Sequence, residues 1–228
     1  MAAPGADLSG VWVISKRATH GYLDSAGHPL EALPLTPWGA AQRARADPAL
    51  DPSARCLTMF PRLMSWPYPI QVVQTPGLVV ILFEADTTFR EIYTDGRPLD
   101  PDDDPAWLGH SKGRWDGDTL VVETQGVNDQ AWLDADGVPI SDQLHVTERF
   151  RLFDGGRSLE DLMTIEDPKV LAAPVSKRLV YNLKPQWRLK EYLCEEGNRD
   201  DASHPKPGNP GSLSLPGATA APKPEEKR

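Results

Sequence analysis

The sequence predicts an all-β protein: a closed antiparallel barrel of about ten strands, with one short helix and a disordered C-terminal tail. Three observations predict this class. The 228 residues include 23 prolines and 18 glycines, which indicate many turns and little helix. From residue 70 onward, short strand-like segments are separated by turn signals at short intervals, as in a meander or barrel. So many consecutive strands would leave exposed edges in a flat sheet, and closure removes those edges.

The first part of the chain supplies one strand, one helix and a long apolar loop. Residues 8–14 predict the first strand, and residues 15–35 are rich in Gly, Pro and His, which indicates irregular structure. Thr36 is an N-cap candidate with a proline at the first helical position, so a short helix is predicted before Asp47. Residues 49–69 carry prolines among large apolar side chains. We therefore expect this loop to cover part of the core.

The remaining strands are bounded by turn residues. The sharpest hairpin has its turn at Asp116-Gly117, because this dipeptide readily adopts the positive φ values of a type I′ turn. Together with residues 8–14, the predicted strands number about ten. They cover residues 70–74, 78–84, 88–93, 110–115, 119–124, 144–152, 159–165, 175–183 and 187–194.

A single domain is expected for a chain of this length, and we place it at residues 1–200. Residues 201–228 are dominated by Asp, Pro, Gly, Ser, Ala and Lys. With almost no large apolar side chain, this segment cannot offset its ordering entropy by burial, so a disordered tail is predicted. Truncation near Ala202 is expected to leave the melting temperature unchanged.

Charge and hydropathy exclude several partners. The formal net charge of −9 opposes tight association with nucleic acid or anionic lipid, because affinity for phosphate comes from clustered Lys and Arg. No run approaches the roughly 18 apolar residues of a membrane span. Residues 1–6 lack the basic region and apolar stretch of a signal peptide. Monomer and homodimer both remain open.

The two cysteines, Cys56 and Cys194, lie far apart in the sequence and form no C-x-x-C motif. This spacing excludes the usual zinc and thioredoxin-like arrangements. Either one disulfide ties the early loop to the last strand, which we favour, or both thiols are free. A disulfide would indicate an oxidising compartment.

Several motifs resemble known barrel families. Gly10-x-Trp12 is similar to the signature of lipocalins and their calycin relatives, in which the Trp closes one end of the barrel. Longer motifs lie across residues 8–200: Arg55-Cys56-Leu57, Tyr93-Thr-Asp-Gly-Arg97, Gly109-His-Ser-x-Gly-Arg-Trp-x-Gly-Asp-Thr-Leu-Val-Val122, His145-Val-Thr-Glu-Arg-Phe150 and Tyr192-x-Cys-Glu-Glu196. These motifs resemble a family of mostly exported bacterial proteins, and the resemblance implies export to the periplasm and a shared, lipocalin-like fold. The barrel type also resembles cofactor-free lyases of lignin-derived aromatics, such as γ-formaldehyde lyases.

Two carboxylates stand on predicted apolar strand faces. The period of two places Glu148 on the face of the segment 144–152 that carries Leu and Val, so it must be paired, protonated or functional. A structural ion pair with Arg90 or Arg114 is the alternative to a catalytic role. Glu84 shows the same anomaly at a strand end, and Arg90 lies close enough across the turn for a cross-strand pair at the rim.

Histidines are the other candidates for proton transfer. His110 begins the Asp-Gly hairpin, where a neutral imidazole at a barrel mouth suits a general base, although a surface or hydrogen-bonded role fits equally well. His145 faces the polar side of its strand and is a weaker candidate, followed by His20, His28 and His204. No histidine pair has metal-ligand spacing, and the acidic loop 100–104 suits solvent better than calcium, so no metal is predicted.

Aromatic side chains near strand ends offer flat apolar walls for a ligand. Ordinary core packing is the alternative explanation for most of them. A loop at residues 128–133 lies between strands, where ligand contacts often occur. The predicted substrate-binding residues are Trp66, Tyr93, Trp115, Trp132 and His145.

The leading hypothesis is a barrel that binds a hydrophobic, aromatic small molecule and acts on it by proton transfer without a cofactor, as a lyase or isomerase. Glu148 or His110 would be the base, and Arg90 would stabilise a developing oxyanion. The alternative is a lipocalin-type carrier or sequestering protein, in which the same charges only close the barrel.

Overall fold

The computed structural model describes residues 5–18, 21–100 and 102–194. Nine strands follow one another around a closed barrel, which confirms the predicted fold class and comes within one strand of the predicted number. The predicted tail at 201–228, the domain end at residue 200, His20 and His204 lie outside the described residues. The strands are β1 Gly10–Ile14, β2 Ile70–Thr75, β3 Leu78–Phe83, β4 Thr88–Tyr93, β5 His110–Asp116, β6 Thr119–Gln125, β7 His145–Phe153, β8 Ser158–Glu166 and β9 Val175–Leu183.

The predicted helix is present as α1, Pro37–Arg43. The Thr36 hydroxyl accepts a hydrogen bond from the Gly39 N–H at 3.0 Å, as expected for an N-cap. Short 3-10 turns lie at Pro48–Leu50, Pro52–Arg55, Arg62–Ser65 and Ala85–Thr87. Within the described part of the chain, no helix is long and apolar enough to cross a membrane.

The predicted strand at 187–194 is wrong. These residues form no strand, because β9 already pairs with β1 through Trp12 opposite Leu183 and Ile14 opposite Tyr181. That pairing closes the barrel and leaves no free edge for a tenth strand.

The prediction of a wholly antiparallel barrel is also wrong at one place. β4 and β5 run parallel and pair only through Ile92 opposite Ser111 and Tyr93 opposite Lys112; we call these two pairs the parallel seam. The other neighbours are antiparallel. A hairpin turn would reverse the chain, whereas residues 94–109 return it to the end of the barrel where β4 began. The parallel seam has fewer paired residues than any other junction between neighbouring strands.

The loop at 49–69 covers the barrel interior, as predicted. Met59, Phe60, Leu63 and Met64 are at most 2% exposed and pack with the inward side chains of the strands. Burying one such side chain stabilises the fold by about 1.5–3 kcal/mol. This loop therefore acts as a lid of the core.

The disulfide between Cys56 and Cys194 is formed, with the two Cα atoms 5.6 Å apart. It joins the loop before β2 to the segment that follows β9. The same segment accepts a hydrogen bond at the Tyr192 carbonyl from the Thr87 hydroxyl at 2.8 Å. Covalent and polar contacts thus hold the segment against the turn between β3 and β4.

Candidate functional site

A buried ion pair occupies the barrel interior. Arg90 of β4 and Glu148 of β7 point inward and are 2% and 0% exposed. The Arg90 Nη1 donates to Glu148 Oε1 at 3.0 Å, and Nη2 donates to Oε2. This bidentate geometry gives the strongest interaction that a guanidinium and a carboxylate form. Of the two ion-pair partners proposed for Glu148 from the sequence, the structure has Arg90.

The remaining donors of Arg90 are also used. Nε donates to the Ser111 hydroxyl at 3.0 Å and Nη2 to the Thr124 hydroxyl at 2.7 Å. The guanidinium lies over the Phe60 ring, 4.3 Å from its centroid. The fifth N–H, on Nη1, is directed at the Met64 sulfur at 4.0 Å, so Arg90 has no free donor for the oxyanion that the sequence hypothesis assigned to it.

A third buried ionisable residue, Asp161, lies beside this pair, and the sequence analysis did not identify it. Asp161 of β8 is fully buried, and neither carboxyl oxygen has a hydrogen-bond partner among the described residues. Burial raises the pKa of Asp161, and the nearby Glu148 charge raises it further. The raised pKa favours the protonated form of Asp161 beside the pair. The signal was available, because Asp161 shares its strand face with Leu159 and Met163.

A pocket of about 620 Å³ opens beside the parallel seam and reaches Arg90 and Ser111. Its walls include Phe89, Tyr93 and Trp107, and Phe89 is 58% exposed although it is large and apolar. The crossover between β4 and β5 forms the other side. The volume falls within the range of small-molecule sites. Of these three aromatic residues, the sequence analysis assigned only Tyr93 to a ligand.

His110 lines the same pocket at the start of β5. Its Nε2 lies 2.8 Å from the Asp104 carbonyl oxygen, which can only accept, so Nε2 carries the hydrogen. The basic lone pair is therefore on Nδ1, which lies 3.9 Å from a carboxylate oxygen of Asp103. Of the predicted site residues, Arg90, Tyr93 and His110 line this pocket, and Glu148 contacts Arg90 in the barrel interior.

Glu84 does not pair with Arg90, so the predicted cross-strand pair is wrong. β3 ends at Phe83, and Glu84 begins the turn that follows, where its carboxylate accepts from the Lys190 N–H at 2.9 Å. Arg90 lies opposite Ile81 and points into the barrel instead. Because Glu84 lies just beyond the end of β3, the alternation of the strand no longer directs its side chain into the barrel.

The other predicted ligand residues are dispersed. Trp66 lines a different pocket, which faces Lys177. Trp115 lies near the end of β5 and packs partly buried against the core, as does Trp132 in the loop after β6. His145 begins β7 on the outer face, with Nδ1 3.7 Å from the Glu166 carboxylate. These four residues share no pocket with His110.

The described residues contain no group of three or more His, Cys, Asp or Glu side chains placed to hold a metal ion. The acidic segment near Asp100 instead makes local turn contacts, such as the Asp102 N–H with the Asp100 carboxylate at 2.9 Å. His28 likewise bonds within its own loop, to Asp24.

Comparison with known proteins gives likeness of fold at most. No protein-family model matches the sequence, and no curated protein matches it. Among solved structures, the chain is similar to a protein described as "REP1-NXSQ fatty acid transporter", with 13% identity, a TM-score of 0.39 and coverage of 80% of this chain and 100% of that one. A point mutant of the same transporter matches with 12% identity, a TM-score of 0.36 and coverage of 79% and 100%. At these values the likeness supports no functional argument.

Proposed function

We propose that the protein binds a hydrophobic, aromatic small molecule in the pocket beside the parallel seam, as a carrier or sequestering protein. The observation that carries the proposal is the pocket of about 620 Å³ whose exposed wall includes Phe89, Tyr93 and Trp107. Phe89 is informative because it adjoins two other aromatic side chains, and contiguous apolar surface marks interaction sites more than single exposed residues do. Aromatic walls combined with a few convergent polar groups are typical of ligand sites.

The charges of the pocket favour a neutral ligand. Arg97 is already paired with Asp95 at 2.6 Å and stacks over the Tyr93 ring at 3.9 Å. Arg90 and Glu148 neutralise each other behind the pocket. A ligand held here would gain mainly from contact with the aromatic rings, and polar side chains of the lining such as His110 and Ser111 would orient it.

Binding of N-phenyl-1-naphthylamine, a neutral aromatic fluorophore, tests the proposal. Phe89→Ala removes an exposed wall and should weaken binding about tenfold, in line with the area that a phenyl ring contributes. Leu162→Ala is the matched control, because Leu162 is an exposed apolar residue of β8 outside the pocket. Equal affinities for both variants, or no binding by the unmodified protein, would overturn the proposal.

A proton-transfer enzyme is the second candidate, and the position of the His110 imidazole in the pocket, with Nε2 bonded to the Asp104 carbonyl, favours it. In this version the protein is a cofactor-independent lyase or isomerase of aromatic compounds, related to the lyases of lignin-derived aromatics. Glu148 is closed off by Arg90, so His110 would be the base. His110→Asn should then lower turnover of an aromatic substrate by about a hundredfold and leave fluorophore binding intact. Unchanged turnover would eliminate His110 as the base.

We further propose that the protein is exported and works in the periplasm. The Cys56–Cys194 disulfide supports this assignment, because such bonds persist in oxidising compartments. Cell fractionation of the full-length product, with thiol labelling of each fraction, tests it. Recovery in the cytoplasm with both thiols reactive would contradict the assignment.

A further inference from the structure

A second pocket, of about 630 Å³, lies at the end of the barrel where β9 begins. It is bounded by the loop around Tyr22, by Ser65 and Trp66, and by the segment at Leu133. Its lining combines apolar and aromatic side chains with charged ones such as Glu31 and Asp134. It is separate from the pocket beside the parallel seam and shares no lining residue with it.

One amine enters this pocket from the barrel wall. The alternation of β9 places Lys177 in register with Val175 and Leu179, which are buried. Its Nζ donates to the Ser65 hydroxyl at 3.2 Å and lies 5.3 Å from the centroid of the Tyr22 ring. The Ser65 hydroxyl in turn donates to the Arg62 carbonyl at 2.9 Å, so its lone pairs face the amine. Nζ is thus held at the pocket by a fixed acceptor.

Lys177 is the basic residue of this pocket that lacks a counter-charge. Arg62 pairs with Asp51 at 2.9 Å, and Arg43 pairs with Asp136 at 3.2 Å. Among the described residues, no carboxylate lies within ion-pair distance of the Lys177 amine. Burial lowers the pKa of Lys177, the Asp134 charge opposes this, and the Arg62 charge reinforces it. The neutral, nucleophilic form is therefore easier to reach than for a lysine in water.

We propose that this pocket is a second ligand site, where the Lys177 amine forms a Schiff base with an aldehyde or ketone that carries an aromatic or apolar body. The Nζ lone pair bonds to the carbonyl carbon and gives a carbinolamine. Loss of the carbonyl oxygen as water, with the two protons that nitrogen gives up, leaves the C=N bond. No oxidant or reductant is required.

The apolar side chains within this mixed lining would favour a carbonyl compound that carries an aromatic or apolar group. Tyr22, Trp66 and Leu133 offer contact surface to such a body while the amine reaches its carbonyl carbon. The Tyr22 hydroxyl is occupied, since it donates to the Leu133 carbonyl at 3.1 Å. Tyr22 would therefore contact the ligand through its ring, and Lys177 would be the group that reacts with the carbonyl carbon.

Reductive trapping tests the proposal on the full-length protein. Incubation with 4-hydroxybenzaldehyde and sodium cyanoborohydride near neutral pH, followed by peptide mapping, compares Lys177 with the exposed Lys190 in the same molecule. We expect the Lys177 adduct to form at least about tenfold faster, as for a desolvated nucleophilic lysine. Comparable rates at the two lysines, or a fast adduct elsewhere, would overturn the proposal.

Two further measurements separate a ligand site from a merely reactive amine. Propanal lacks the aromatic body, so the preference for Lys177 over Lys190 should fall with this probe; an unchanged preference would refute the ligand site. Ser65→Ala removes the acceptor that positions Nζ and should slow the Lys177 adduct without changing the rate at Lys190. Phe89→Ala, in the other pocket, should leave both rates unchanged.

Discussion

At the scale of single residues, the barrel interior holds one guanidinium and two carboxyl groups: Arg90, Glu148 and Asp161. Charges so deeply buried are tolerated when they are paired and hydrogen-bonded, and Arg90 satisfies this with Glu148, Ser111 and Thr124. Burial raises the pKa of Asp161, which favours its neutral form and so reduces the cost of placing this carboxyl group in the interior.

Glu148→Gln should destabilise the protein by about 3–5 kcal/mol, because it leaves the buried Arg90 charge without a counter-charge. Urea unfolding of the variant and the unmodified protein measures this. The double replacement Arg90→Met with Glu148→Leu is the control and should recover most of the loss, since it removes both charges. A loss below about 1 kcal/mol for Glu148→Gln would contradict a structural role for the pair.

Asp161→Asn should flatten the dependence of stability on pH. The folded state raises the pKa of Asp161 above its ordinary value of 3.8, so it holds one proton more than the unfolded chain above that pH. The stabilisation is complete below 3.8 and is lost as pH rises toward the folded-state pKa, by up to about 1.4 kcal/mol per pH unit.

Asn does not titrate, so the free energy of unfolding of the variant should not fall over this pH range. The variant should therefore become more stable relative to the unmodified protein as the pH rises above 3.8. Unfolding midpoints at a series of pH values test this, with Asp129→Asn in an exposed loop as the control. Parallel pH curves for Asp161→Asn and the unmodified protein would show that Asp161 is not protonated.

Strand alternation predicted the inward face of Glu148 from the sequence, and the same rule applied to 159–165 would have found Asp161. It could not reveal which arginine crosses the barrel, because Arg90 and Glu148 are far apart in sequence and meet only through closure. The sequence also could not show that Trp66, Trp115 and Trp132 lie in different places. Their positions depend on how the loops fold over the ends of the barrel, and the local alternation of apolar and polar residues does not encode this.

At the scale of elements, the parallel seam differs from every other junction of the barrel. β7 and β8 pair through nine residues each, whereas β4 and β5 pair through two. Gly113 permits their close approach, since a Cβ there would lie 3.0 Å from Ile92 Cγ2. The seam could not be predicted from turn residues, because the segment 94–109 contains turn signals typical of an antiparallel meander.

Hydrogen exchange should therefore be uneven around the barrel. We expect backbone amides of β4 to exchange at least about tenfold faster than those of β7 and β8, because fewer ladder bonds must break to expose them. Exchange followed by mass spectrometry resolves the strands. An aromatic ligand in the adjacent pocket should slow exchange in β4, with β8 as the internal reference. Uniform protection of all nine strands would contradict a weak seam.

At the scale of the whole molecule, the Cys56–Cys194 bond links segments 138 residues apart. In the chain-entropy model, a loop of this length stabilises the native state by about 5 kcal/mol, although measured gains are often smaller. Replacement of both cysteines by Ser should lower the melting temperature without altering the β content. A reducing agent should lower it for the unmodified protein only, and an equal melting temperature in all conditions would contradict this.

Closure of the barrel also sets an order of events during synthesis. β5 to β9 are antiparallel neighbours in chain order, so each strand can pair with the next one once that strand is made. β1 waits much longer, because Ile14 pairs with Tyr181 and every residue between them must be made first. Until then its outer edge is a row of unpaired backbone groups, which invites association with other chains. A chaperone that shields this edge would be of most use while β9 is still inside the ribosome.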